Sequence, residues 1–127
     1  MNDRIQTVVA AAIVTAIVMS VATVPAAEVP DYRRDIKPLL EAKCFVCHSA
    51  LKQEAELRLD AISLIRQGGE SGAVIIPRNA ADSLLMRRVR STDIDLRMPP
   101  ADTGHPLTDK QIALLKSWID SGAAGAG

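Results

Sequence analysis

Cys44, Cys47 and His48 stand together in the stretch CFVCH, and these two thiols are the only cysteines of the chain. Three chemistries use such a group. A Cys-x-x-Cys pair works as a redox dithiol when a βαβ pattern surrounds it, but no strand of convincing length precedes Cys44, and the residues ahead of it read as helix. A structural zinc ion needs about four protein ligands. Cys44 and Cys47 supply two and His105 a third, while His48, directly behind Cys47, is badly placed to close the same tetrahedron. The third chemistry is covalent attachment of haem, for which C-x-x-C-H is the local signature. Two thiols three residues apart at the end of a helical turn reach the two vinyl groups on one edge of a porphyrin. The imidazole that follows then points under the ring centre, where it can ligate iron.

An iron held by His48 needs an account of its other face. Met98 lies in LRMPP, where Pro99 and Pro100 stiffen a polar loop and hold the thioether toward the iron without a helix behind it. Met86, in SLLMRRV, reads as flexible core filler, and Met1 and Met19 fall in the leading segment. Met98 is therefore the candidate distal ligand. His105, in ADTGHPL, is the competitor, and an open sixth position is the third reading. A Met/His pair raises the potential of the iron and closes both faces, which suits electron transfer better than oxygen chemistry. Arg78, Arg87, Arg88, Arg90 and Arg97 read as a solvated basic face that Asp93 and Asp95 partly balance. Arg97, beside Met98, is the candidate among them for pairing with a haem propionate.

The elements that must position these groups are short helices. Asp35 is placed to cap a helix over residues 36–42, with Tyr32, Ile36, Leu39 and Leu40 at helical spacing, and this helix runs straight into CFVCH. Asp60 is placed to cap AISLIRQ, which Gly68 and Gly69 end. LRLD before it reads as a short extended stretch, and SGAVIIP after it as a short strand or extended loop. A third helix, SLLMRRV, starts from Asn79 or Asp82. The last helix carries a Thr108/Gln111 capping box, an apolar stripe of Ile112, Leu115, Trp118 and Ile119, and Gly122 as its stop. The expectation is all-α: three to four short helices with long loops and little or no sheet, folded around a covalently bound haem.

Length and composition agree. The chain has 127 residues, enough for one domain. Residues 1–27 begin with a short charged start, continue as the uncharged run VVAAAIVTAIVMSVATV and end in small residues. That pattern describes a secretory signal peptide, with an uncleaved membrane anchor as the rival; either takes the remainder out of the cytoplasm. Residues 28–127 are then the haem domain, with a flexible AAGAG tail. Tyr32, Phe45 and Trp118 are its only aromatics, so a large bound apolar group would help a core of Leu, Ile, Val and Ala. Fifteen Lys and Arg balance fifteen Asp and Glu, and nothing in that balance points to nucleic acid or to an anionic membrane surface.

The chain resembles cytochrome c, and more narrowly the planctomycete-type cytochrome c domain, from about Asp31 to Gly122. IKPLLEAKCFVCHS, LRLD, GGESGAVIIP, DSLLMRRV, RMPP and LTDKQIALLKSWIDSGA carry the likeness. It implies a compact α-helical cytochrome c fold with haem c on Cys44 and Cys47, His48 as proximal ligand and Met98 as distal ligand. The family commonly places this domain at the N-terminus of much longer exported proteins. The expected function is that of a monohaem carrier passing single electrons between extracytoplasmic partners in small, transient encounters. No residue need act as acid, base or nucleophile. Two alternatives stand beside it. One is a haem subunit or detached domain of a larger exported oxidoreductase; the other is a haem ligand sensor with an exchangeable sixth site. One haem edge is expected to be exposed near Phe45 and the Met98 loop.

Overall fold

The structure, a computed structural model, describes residues 11–13, 16–23, 25 and 27–126. The expected export segment falls largely outside them, and its described residues are exposed and without regular structure. Among the described residues no helix is long and apolar enough to cross a membrane.

Four α-helices are present, with no named strand among the described residues: α1 Lys37–Lys43, α2 Ile62–Gln67, α3 Leu84–Arg90 and α4 Asp109–Asp120. A π-helical turn, Tyr32–Ile36, leads into α1 without a break. Asp31, and not Asp35, is the cap: its carboxylate accepts from the Arg34 N–H at 2.8 Å. Asp35 closes the turn from the other side by accepting from the Asp31 N–H at 2.8 Å. The helix therefore starts a full turn earlier than capping at Asp35 predicts. The widened π turn also accommodates Pro38, whose ring would clash with the carbonyl four residues back in a regular helix.

The expected face of this segment is buried, with Tyr32, Ile36, Leu39 and Leu40 all in the core. It packs against the stripe of α4, where Leu115, Trp118 and Ile119 are buried and Ile112 packs alongside. The Tyr32 and Trp118 rings stack at 5.8 Å between centroids, an offset pair that adds to simple area burial. The Thr108/Gln111 capping box forms as predicted, Gln111 N–H to the Thr108 hydroxyl at 3.2 Å and Thr108 N–H to the Gln111 amide at 2.9 Å. Residues 123–126, expected as a flexible tail, fold back onto this pair. Trp118 Nε1 donates to the Ala124 carbonyl at 3.0 Å, Arg33 to Ala126 and Arg66 to Ala123. A Cβ at Gly125 would stand 2.6 Å from Tyr32 Cβ, so only glycine lets the tail lie this close.

The middle of the chain departs further from local expectation. Asp60 does not cap α2, which begins at Ile62 without a side-chain cap. SGAVIIP forms no strand; Val74 and Ile75 are simply buried, and the Leu85 N–H bonds the Val74 carbonyl at 2.9 Å. Ser83 is the N-cap residue of α3, with Asn79 and Asp82 bonded to each other just ahead of it. The Ser83 hydroxyl is fully buried, accepting from Ile76 N–H at 2.8 Å and donating to the Asn79 carbonyl at 2.8 Å. An apolar run too short to find a ladder partner is held instead by this hydroxyl and by the Leu85 N–H.

Candidate functional site

α1 ends at Lys43, but its hydrogen bonding runs on into the motif. Cys44 N–H bonds the Leu40 carbonyl at 2.7 Å, and His48 N–H bonds the Cys44 carbonyl at 2.9 Å. CFVCH is thus a turn built on the end of a helix, which sets the two thiols and the imidazole on one side. Downstream residues then lock it: Glu54 N–H bonds the Cys47 carbonyl at 3.0 Å, and Leu59 N–H the His48 carbonyl at 2.9 Å. The LRLD stretch does this work. Leu59 clamps His48 while Arg58 and Asp60 pair at 2.7 Å, and Asp60 also accepts from the Ala50 N–H at 3.2 Å.

Cys44, Cys47 and His48 line one cavity of about 400 Å³, within the usual range of cofactor sites. Its walls are mainly apolar, with Leu57, Leu59, Val74, Leu85, Val89 and Pro99 among them. Met98 lines the same cavity, although fifty residues of chain separate it from His48. So does His105, which is exposed on the rim, its carbonyl accepting from Lys43 Nζ at 3.5 Å. Every residue singled out as anchor or ligand therefore meets at one place. Met98 is brought there by α3: its N–H bonds the Arg88 carbonyl at 3.1 Å, and the Arg88 side chain reaches the Leu96 carbonyl at 3.4 Å. The mouth differs from expectation in one respect. Phe45 packs against the core, and the exposed Val46 lines the cavity in its place.

The electrostatics separate the competing chemistries. Burial, reinforced by the neighbouring Cys47, pushes the Cys44 thiol up to about 12, with Lys43 offsetting part of the rise. Redox-active dithiols sit where the thiolate is favoured, and Cys44 sits where it is not. Among the described residues no cluster of three or more His, Cys, Asp and Glu assembles in a metal-binding arrangement, so the four-ligand zinc site is not built there. A haem fits what is present. Two thiols and an imidazole share an apolar cavity, with a thioether lining it as well. His48 Nδ1 is buried with no hydrogen-bond partner, so the protein itself does not tie the ring through that atom.

Three features of the cavity escaped the sequence reading. Ala55 and Glu56 both take left-handed backbone, φ 55° and 56°, a conformation that costs on the order of 1–3 kcal/mol at residues other than glycine. The Ala55 carbonyl is held in place by the Glu70 N–H at 2.8 Å. Gly68, at φ 79°, closes this corner, where any Cβ would run into the Gly72 carbonyl. Arg88, and not Arg97, is the arginine that lines the cavity. Only the run of glycines in QGGESG hinted at a tight corner.

A helical domain that turns paired thiols and an imidazole into a single apolar cavity agrees with the expectation drawn from the sequence. Residues 44–102 match the family model described as planctomycete cytochrome C, a match that runs from the first cysteine to just past RMPP. The resemblance drawn from the sequence holds for that segment, and the family it matches implies covalent haem c. Comparison with curated proteins found no match. Among solved structures, the hydrazine synthase of Kuenenia stuttgartiensis is similar at 23% identity and a TM-score of 0.47, over 76% of this chain. This chain spans 16% of that chain's length.

Proposed function

We propose that this domain is a monohaem c-type cytochrome that passes single electrons between extracytoplasmic redox partners and catalyses no reaction of its own. Cys44 and Cys47 anchor the haem by thioether bonds, His48 is the proximal ligand and Met98 the distal one. The bound haem supplies reversible one-electron chemistry at iron. The residues of the chain hold it, exclude water from its faces and set its potential through the axial pair. The observation that carries this reading is the shared cavity: CFVCH and Met98, remote in sequence, line the same apolar space. Residues 1–27 export the domain, as signal peptide or anchor, and its partners meet it briefly at the open rim near Val46.

Spectra of the purified holoprotein test this. A low-spin reduced α-band, a weak red charge-transfer band when oxidised and no shift with carbon monoxide are expected. Met98→Ala should remove the red band and admit carbon monoxide, while His105→Ala should leave both spectra unchanged. The reverse pattern would transfer the distal role to His105. Ready formation of a carbon monoxide adduct by the unaltered protein would favour the sensor reading, which the rim position of His105 keeps specific. Co-purification with a catalytic chain would favour the subunit reading.

A further inference from the structure

The cavity wall carries little charge. Apart from the histidines and the two cysteines, only Lys43, Glu70 and Arg88 among the described lining residues bring ionisable side chains to it, and Glu70 is their sole carboxylate. Lys43 is already turned to the His105 carbonyl. Arg88 is half-buried in α3, with no carboxylate within ion-pairing distance among the described residues. Its one hydrogen bond goes to a neutral carbonyl, that of Leu96, at a long 3.4 Å. Close by in the chain, next to Met98, Arg97 Nε is buried with no partner at all. A guanidinium presents five N–H donors in a planar fork, and burying them unmatched is unfavourable. Arg97 lies outside the cavity lining, whereas Arg88, under-satisfied and facing the cavity, calls for an anion with planar, bidentate acceptors.

We propose that Arg88 holds a carboxylate of the bound haem and thereby positions the ring between His48 and Met98. This rests on the haem reading above, since haem carries two propionate side chains. The backbone supports the role: the Arg88 carbonyl accepts from the Met98 N–H, so one residue ties both the cofactor's acidic edge and the distal loop to α3. Arg87 and Arg90, on the same helix, are exposed and line a separate surface depression. They are the internal controls.

The test is the midpoint potential of the holoprotein, with covalent haem first verified by mass. Arg88→Gln removes a positive charge next to the haem and should lower the potential; Arg88→Lys should recover most of the shift, and Arg90→Gln should produce none. Equal potentials for Arg88→Gln and Arg90→Gln would overturn the proposal while leaving the haem reading intact. Absence of haem from the unaltered protein would bring down both. Because Arg88→Gln also removes a structural contact, nitrogen-15 spectra of the arginine side chains in the unaltered holoprotein give a second readout. A slowly exchanging Nε–H signal assigned to Arg88 is expected. Rapid exchange at Arg88 would equally overturn the assignment.

Discussion

On the His48 side of the cavity, the chain is held by a continuous series of backbone hydrogen bonds from α1 through Cys44 and Cys47 to His48, closed by Leu59. On the Met98 side, one backbone bond to Arg88 anchors the loop, supported by a turn at Asp93 and a long side-chain contact to Leu96. The first arrangement needs only the local chain and a short return segment. The second exists only once α3 has packed, because Arg88 is where it is through the burial of Leu85, Met86 and Val89 on the same helix. The difference suits the proposed chemistry. Attachment chemistry requires two thiols and an imidazole preset on one turn, whereas the distal thioether must close over a ring already in place.

Replacing both Cys44 and Cys47 with Ala should abolish covalent haem entirely, read as loss of the haem mass from denatured protein. Retention of that mass would break the assignment of the His48 side. Trp118→Ala deletes the centre of the packing between the π turn and α4, and large aromatic truncations of this kind cost about 3–5 kcal/mol. Denaturant titration should then show the Met98 signature disappearing well before the His48 ligation signature is lost. Simultaneous loss of the two would mean that both sides depend equally on global packing. Ser83→Ala leaves the Ile76 N–H without its acceptor, a loss of about 1–3 kcal/mol, and loosens the entry to α3. Its effect should fall on the distal loop, seen as carbon monoxide binding under conditions where the unaltered protein excludes it.

The smallest effect concerns the proximal side. The Arg58 guanidinium, bonded to Asp60, holds that carboxyl below the usual carboxylate range, and backbone N–H donors assist. The folded value thus lies below the unfolded one, near 3.9. The contribution is complete above that pH and is lost as pH falls through the folded value. Asp60→Asn should therefore lower the urea midpoint slightly at pH 7, and the gap from the unaltered protein should close in acid. A gap that persisted at pH 2 would show that Asp60 braces the loop by shape and not by charge.

The helical class, the capping box at Thr108, the buried face from Tyr32 to Leu40 and the CFVCH group were legible because each is a pattern within a few residues. Asp35 and Asp60 misled for a related reason. A carboxylate before a helix is a good cap by propensity, but Asp31 had already taken the earlier position, and Asp60 found Arg58 and the Ala50 N–H. Ser83 carried no signal, since one serine among many reveals nothing until Ile75 and Val74 are buried around it. The tail AAGAG looked like a low-complexity end; the stacked pair beneath it made residues 123–126 part of the core surface.

By itself, then, the sequence determined which atoms are available for haem chemistry and how those in CFVCH are spaced, because helical geometry dictates both over a single turn. Tertiary structure alone decided that Met98 and His105 line the same space as His48, and that Arg88 faces it in place of Arg97. Those placements depend on how α3 and its following loop close over the cavity, and that closure is set by the packing of side chains distant in sequence.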